Sequence, residues 1–336
     1  MTSSTLRKLF LSLGAMGAAL GLPAVAAADD LKATFDASLG TEVRAPADFS
    51  AQYRSELERR IAAIADGSRG RIGVFAMDLQ SGETVSVLGD QRFPMASTSK
   101  IAIAATFLEG VDQGRWSLTS EFPLLHPTRS AKFSSSVAPV RTGDYLSAIE
   151  LIDLMITRSS NPATDALLRV VGGPQAVNDW MRRAGIDEFT LSRDIATLVR
   201  DDGEYDPATI IDPRDSATPR AMVQLMSGIW QGRWLSDSSR RVIISAMERC
   251  RTGTRRIPAR MPSYVTVAHK TGSLNNTSSD IGMITGPDGR TIAVAIYVTG
   301  QGARGNREAR IAEIAKEVFD GYQQPARVWT SATYAN

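Results

Sequence analysis

Histidine and cysteine are nearly missing from this 336-residue chain, which has only His126, His269 and Cys250. Zinc sites draw on several such ligands, so metal catalysis of that kind is not expected, and no cofactor is called for. One cysteine cannot make an internal disulfide, so the fold must be held by its core. Apolar residues, at 43%, suffice to build one. An isolated Cys250 is expected to pack rather than react. An excess of one charge is also missing: 38 basic residues against 36 acidic leave +2, without basic clusters, so no nucleic-acid partner is expected.

The chain lacks a good membrane span. Its N-terminal apolar stretch, Leu9 to about Leu22, is too short and too rich in Gly and Ala. Arg7 and Lys8 precede it and Ala26-Ala27-Ala28 follows, which together read as a signal peptide over 1–28. Export is therefore expected, to the periplasm or as a secreted protein. With no cysteine at the cleavage site, no stable membrane anchor is expected.

What is present has a clear order. A leader over 29–48 precedes a helical pattern to Ala65 (Leu57, Ile61, Ile64) and a hairpin, Ile72 to Leu79 and Thr84 to Leu88. Residues from about Thr98 to Arg251 read mainly as helices. Short β-branched strands follow at Val265–Lys270, Ile281–Thr285 and Thr291–Val298, then a helix from about Arg307 to Tyr322 and a tail over 323–336. This predicts an α+β fold, with an antiparallel sheet built from both chain ends (49–96 and 252–322). Helices flank it, and an all-helical lobe (97–251) is inserted. The active site is expected in the cleft between the lobes, within one monomer.

"FPMASTSKIAIAATFL" carries three hydroxyls and a lysine ahead of an apolar run. Pro94 and Ser97 suit a helix start, and residues three apart share a helix face. Of Ser97, Thr98 and Ser99, only Ser97 can then meet Lys100. Burial lowers a lysine's pKa and lets it act as a base for a serine nucleophile. Alone, this stretch reads more readily as a capped helix with a snorkelling lysine. Two further motifs change the weighting: Ser159-Ser160-Asn161 at a helix junction, and Lys270-Thr271-Gly272 at a strand end.

Together, "RFPMASTSK", "ITRSSNPATD", "DPRDSATP" and "HKTGS" resemble the class A serine β-lactamases over roughly residues 50–322. The resemblance implies that Ser97 attacks a β-lactam carbonyl with help from Lys100, while Ser159 passes a proton to the leaving nitrogen. It implies Asn161 at the substrate amide, and Lys270, Thr271 and Gly272 at the substrate carboxylate. The N–H groups of Ser97 and Ser273 would form the oxyanion hole.

The chain departs from the family at three points. Arg193 and the closing Asp215 are kept, but Ile195 stands where the family has the glutamate that activates water. Val199 stands where it has an asparagine, and the loop is longer. Asp202, Glu204 and Asp194 are the candidate replacements for that base. Ser160 takes the place of an aspartate, and Ser279 that of a carboxylate-binding arginine. Acylation is thus better provided for than release. Three readings follow: a weak or unusual β-lactamase, a D-alanyl peptidase or esterase, and a penicillin- or peptidoglycan-binding protein that acylates once. Each takes a small-molecule β-lactam or peptidoglycan-like substrate.

Overall fold

The computed structural model describes residues 53–66 and 69–323. The expected signal peptide, the leader and the tail beyond Gln323 lie outside them. In chain order the elements begin with α1 (Glu56–Ala65), β1 (Ile72–Asp78), β2 (Thr84–Val87) and β3 (Phe93–Pro94). A 3-10 turn (Ala96–Ser99) runs into α2 (Lys100–Asp112). There follow β4 (Glu121–Pro127), β5 (Val140–Ser147), α3 (Ala148–Thr157), α4 (Asn161–Val171) and α5 (Pro174–Arg183). Next come β6 (Phe189–Thr190), α6 (Ile195–Arg200), β7 (Ser216–Ala217), α7 (Pro219–Trp230) and α8 (Asp237–Glu248). A second 3-10 turn (Ile257–Arg260), β8 (Thr266–Leu274), β9 (Thr277–Thr285), β10 (Thr291–Thr299) and α9 (Arg304–Gln323) complete the chain.

The expected α+β architecture is what forms. Five antiparallel strands in the order β2-β1-β10-β9-β8 join the two chain ends in one sheet. Side chains alternate between its faces. From β10, Ile292, Val294, Ile296 and Val298 pack with Ile61 of α1 and Ile311, Ile314 and Val318 of α9. Ala293, Ala295 and Tyr297 join the other core, with Met222 and Met226 of α7. Covered on both faces, β10 reads as a continuous apolar run.

Helix α2 is the centre of the inserted lobe. Ile101 through Leu108 are buried on every side, against α3, α4, α5 and α8. That lobe is not all helix, contrary to the sequence reading: β4 and β5 pair as an antiparallel ribbon. Half-exposed strands carrying Pro123, His126, Pro127 and Gly143 lack an alternating apolar signal, which is why they read as loop.

Strand β8 is longer than expected. Lys270-Thr271-Gly272 lies inside it, because pairing with β9 continues to Leu274↔Thr277 across a two-residue turn. Asn276 takes a φ of +48° there, the left-handed conformation that asparagine tolerates. Small polar residues in "TGSL" and "TSSD" hid these strand ends from a hydrophobicity reading.

The segment 193–215 is closed at its neck by Asp215, which is 2% exposed. Its Oδ1 accepts the N–H groups of Ser192 (2.7 Å) and Arg193 (3.1 Å), and its Oδ2 accepts Arg193 Nε at 2.6 Å. Removing Asp215 leaves Arg193, 18% exposed, without its partner and frees two backbone N–H groups, at about 1–3 kcal/mol. Asp215→Ala should lower unfolding stability in urea by that order. A loss under about 1 kcal/mol would mean the pair is not what closes this segment.

Candidate active site

The turn Ala96–Ser99 decides which hydroxyl is free. Thr98 Oγ1 donates to Met95 O (2.8 Å) and meets the Tyr297 hydroxyl at 2.9 Å, and Ser99 Oγ donates to Ala96 O at 2.9 Å. Ser97 is half-buried and its hydroxyl makes no hydrogen bond among the described residues. Nor does it cap the helix: it lies within the 3-10 turn, and no side chain caps that turn or α2. Ala96 ahead of it has a φ of +49°, a strained conformation for a residue with a side chain.

Lys100 is fully buried and donates three hydrogen bonds: to Ser159 O (2.8 Å), Ser159 Oγ (3.2 Å) and Asn161 Oδ1 (2.7 Å). Its Nζ contacts are thus with Ser159 and Asn161, and the expected bond with Ser97 is not formed. Lys270, also fully buried, donates to the same Ser159 Oγ at 3.0 Å and to Thr271 O at 2.9 Å. Ser159 itself is held at a φ of +58° at the junction between α3 and α4. Ser160 supplies the cap of α4, its side chain accepting Ala163 N at 3.3 Å. Serine thus replaces the missing aspartate with a capping contact.

Gly272 brings β8 against the serine turn. A Cβ there would lie 2.7 Å from Met95 O and 3.1 Å from Ala96 Cβ, so only glycine allows this approach. The three sequence motifs therefore converge. Thr271 Oγ1 pairs with Thr252 Oγ1 at 2.6 Å, and Ser273 is exposed, its Oγ accepting Arg256 at 2.7 Å.

Burial governs the electrostatics. It pushes Lys100 well below the ordinary lysine value, the Lys270 charge adds to this, and Asp165 opposes it. Burial likewise brings Lys270 down to about 8, against the pull of Cys250 and Asp280. For His269, burial acts downward, but the Asp280 carboxylate at 2.9 Å outweighs it and holds the imidazolium up to about 10. His269 is thus half of a buried ion pair.

The three candidate loop acids are engaged elsewhere. Asp194 caps α6 through Thr197 N (2.7 Å), Asp202 Oδ2 accepts Asn275 N (2.8 Å), and Glu204 accepts Arg214 (2.8 Å). A cavity of about 60 Å³ lies beneath this loop, lined by Asp202, Tyr205 and Leu274 among others. None of Ser97, Lys100, Ser159 and Lys270 lines it. The Ile195 side chain is buried at the start of α6, while Val199 is half exposed.

Two residues escaped the sequence reading. Arg256, 1% exposed, donates to Gly272 O (2.8 Å), Ser279 O (2.7 Å) and Ser273 Oγ, putting a cation behind the end of β8. Its distance in sequence from the Lys270 motif left no signal. Asp165 is 5% exposed and accepts Ile195 N (2.8 Å) and Ala196 N (2.9 Å). Its spacing of four from Asn161, which puts both on one helix face, was a usable signal.

Residues 56–322 match the sequence profile described as the β-lactamase enzyme family. An imipenem-hydrolyzing β-lactamase from Enterobacter cloacae is 30% identical over 257 residues, 75% of this chain and 84% of that one. The extended-spectrum β-lactamase PER-1 of Pseudomonas aeruginosa is 27% identical over 276 residues, 78% and 86% of the two chains. Among solved structures, a β-lactamase from Chitinophaga pinensis has a TM-score of 0.70 at 27% identity, covering 80% of this chain and 100% of that one. An ancestral class A β-lactamase has a TM-score of 0.68 at 32% identity, covering 79% and 100%. Among the described residues, no helix is long and apolar enough to cross a membrane.

The depressed Lys270 has a consequence for stability. Below about pH 8 it is charged both folded and unfolded, and the full penalty of its burial is present. From about 8 to its ordinary value of 10.5 the folded chain has shed the proton that the unfolded chain keeps, so stability rises with pH. Lys270→Met should flatten that rise in urea unfolding across the same window. Equal slopes in both proteins would show that the buried amine is not perturbed.

Proposed function

The chain belongs to the β-lactamase enzyme family, and from that premise we propose that it is an exported, monomeric class A-type enzyme acting through an acyl-Ser97 intermediate with slow release. The observation that carries this is the meeting of Lys100 and Lys270 on Ser159 Oγ, with a free hydroxyl on Ser97 three residues before Lys100. A lysine amine kept neutral by burial takes the Ser97 proton as Oγ attacks the lactam carbonyl. The oxyanion draws on the N–H groups of Ser97 and Ser273. As the C–N bond breaks, Ser159 gives its proton to the leaving nitrogen and regains one from the lysine that took it from Ser97. The products are an ester on Ser97 and an opened ring.

Asn161 bonds the substrate amide. Thr271 and Ser273 bond its carboxylate at the Gly272 approach, with Lys270 nearby. Arg256, behind Ser273, provides the positive charge that Ser279 does not.

Release is the weak step. Water must attack the ester, and Ile195 has no group to take its proton. Asp194, Asp202 and Glu204 are each engaged in a hydrogen bond of the loop. Lacking a well-placed base costs roughly 100- to 10,000-fold. Those same engaged acids favour, as the second reading, a penicillin- or peptidoglycan-binding protein that acylates without turnover. A D-alanyl peptidase or esterase would use the same serines and lysines.

Purified mature protein mixed with a chromogenic cephalosporin should give sustained but slow colour and a mass adduct, both abolished by Ser97→Ala. One equivalent of colour with a permanent adduct would favour the binding protein. Cleaved esters with neither colour nor adduct would favour the peptidase or esterase. Colour unaffected by Ser97→Ala would overturn the serine mechanism.

A further inference from the structure

Asp165 is a buried acid that the acyl-serine chemistry leaves unused. It stands four residues after Asn161 on α4, so the two side chains share a face of that helix. Asn161 Oδ1 accepts Lys100 Nζ at 2.7 Å. The Asp165 oxygens accept the N–H groups of Ile195 and Ala196 at 2.8 and 2.9 Å. The chain has thus fixed a carboxylate against the backbone of the very residue whose side chain cannot supply one. Each carboxylate oxygen can accept two hydrogen bonds and here accepts one, so both keep a free lone pair among the described residues.

Resting on the acyl-serine reading above, we propose that Asp165 is the positioning carboxylate of this site: from α4 it sets the charge of the Lys100 amine, a task for which loop 193–215 has no free acid.

The charged groups facing this pair come from each packed element. Burial and then Lys270 on β8 drive Lys100 toward the neutral form, while Asp165 opposes them. Asp194, ahead of α6, bears on Asp165. Burial is the largest influence on Asp165 and lifts it to about 6; Asp194 adds to this, and the two N–H groups and Lys100 act downward. At neutral pH the group is therefore mostly an anion. Asp165 touches no reacting atom in this scheme and acts through Lys100.

The test is Asp165→Asn, which keeps the shape and one acceptor. Acylation of the full mature chain by a chromogenic cephalosporin is followed by stopped flow across pH. Without the anion Lys100 loses its proton more readily, so the acid limb of the acylation profile should move down by about one pH unit or more. A lower plateau with the limb unmoved would assign Asp165 a purely structural role and overturn the proposal.

A second measurement stands even where that variant fails to fold. The Asp165 carboxyl carbon is titrated by NMR, without substrate, in the wild-type chain and in Lys100→Met. Loss of the lysine charge should raise the Asp165 midpoint, since coupling between two sites is reciprocal. An unchanged midpoint would overturn the proposal. Because no β-lactam enters this titration, its failure differs from failure of the acyl-serine reading, which the absence of a Ser97 adduct would reveal.

Discussion

Two fully buried lysines, one at the start of α2 and one on β8, donate to a single serine oxygen, Ser159 Oγ. Two ammonium groups so close in a region shielded from water cannot both stay charged cheaply. One of the two is therefore driven toward its neutral form, and the proposed scheme uses that amine as a proton acceptor without histidine. Much of the surrounding structure serves this contact. Helix α2 is apolar on every side so that Lys100 starts from a dry core, Gly272 lets β8 close against the serine turn, and Ser159 is held in a strained backbone conformation. Strain of about 1–3 kcal/mol per residue persists only where neighbours over-determine it, and here it does so at both serine-bearing turns.

The same geometry separates bond making from bond breaking. In the proposed scheme, attack on a lactam needs a free hydroxyl, a neutral amine, a proton donor for nitrogen and oxyanion donors, and the three motifs that meet at Ser159 and Gly272 would supply them. Hydrolysis of the ester needs in addition a base that reaches water. In segment 193–215 the acids tie the polypeptide to itself and to the turn after β8. Its organisation favours shape over proton transfer, and the buried carboxylate that holds the backbone of Ile195, Asp165, lies on α4.

Much of this was legible in the sequence, for physical reasons. Apolar alternation marked β1, amphipathic spacing marked α9, and continuous apolar runs marked β10 and α2, because a packed core enforces each. The motif residues Ser97, Lys100, Ser159, Asn161 and Lys270 could be picked out together because helix spacing paired the first two and the three motifs in this order resemble the class A enzymes. The rest was hidden where polar contacts take over from burial. The β4–β5 ribbon has no apolar stripe, and the end of β8 is made of Thr, Gly and Ser. The pairing of Lys100 with Ser159 and Asn161, rather than with Ser97, depends on a helix junction 59 residues away. Arg256 and Asp165 act across sequence gaps that spacing rules do not span, although the turn from Asn161 to Asp165 was within reach.

The central claim is that acylation of Ser97 is intact while release is slowed. Rapid-quench mass spectrometry of the first turnover with a penicillin tests it most directly. The account predicts a burst approaching one acyl group per chain, attached to Ser97, followed by a steady phase at least about 100-fold slower. A steady rate equal to the first turnover, with no acyl-enzyme accumulating, would contradict it.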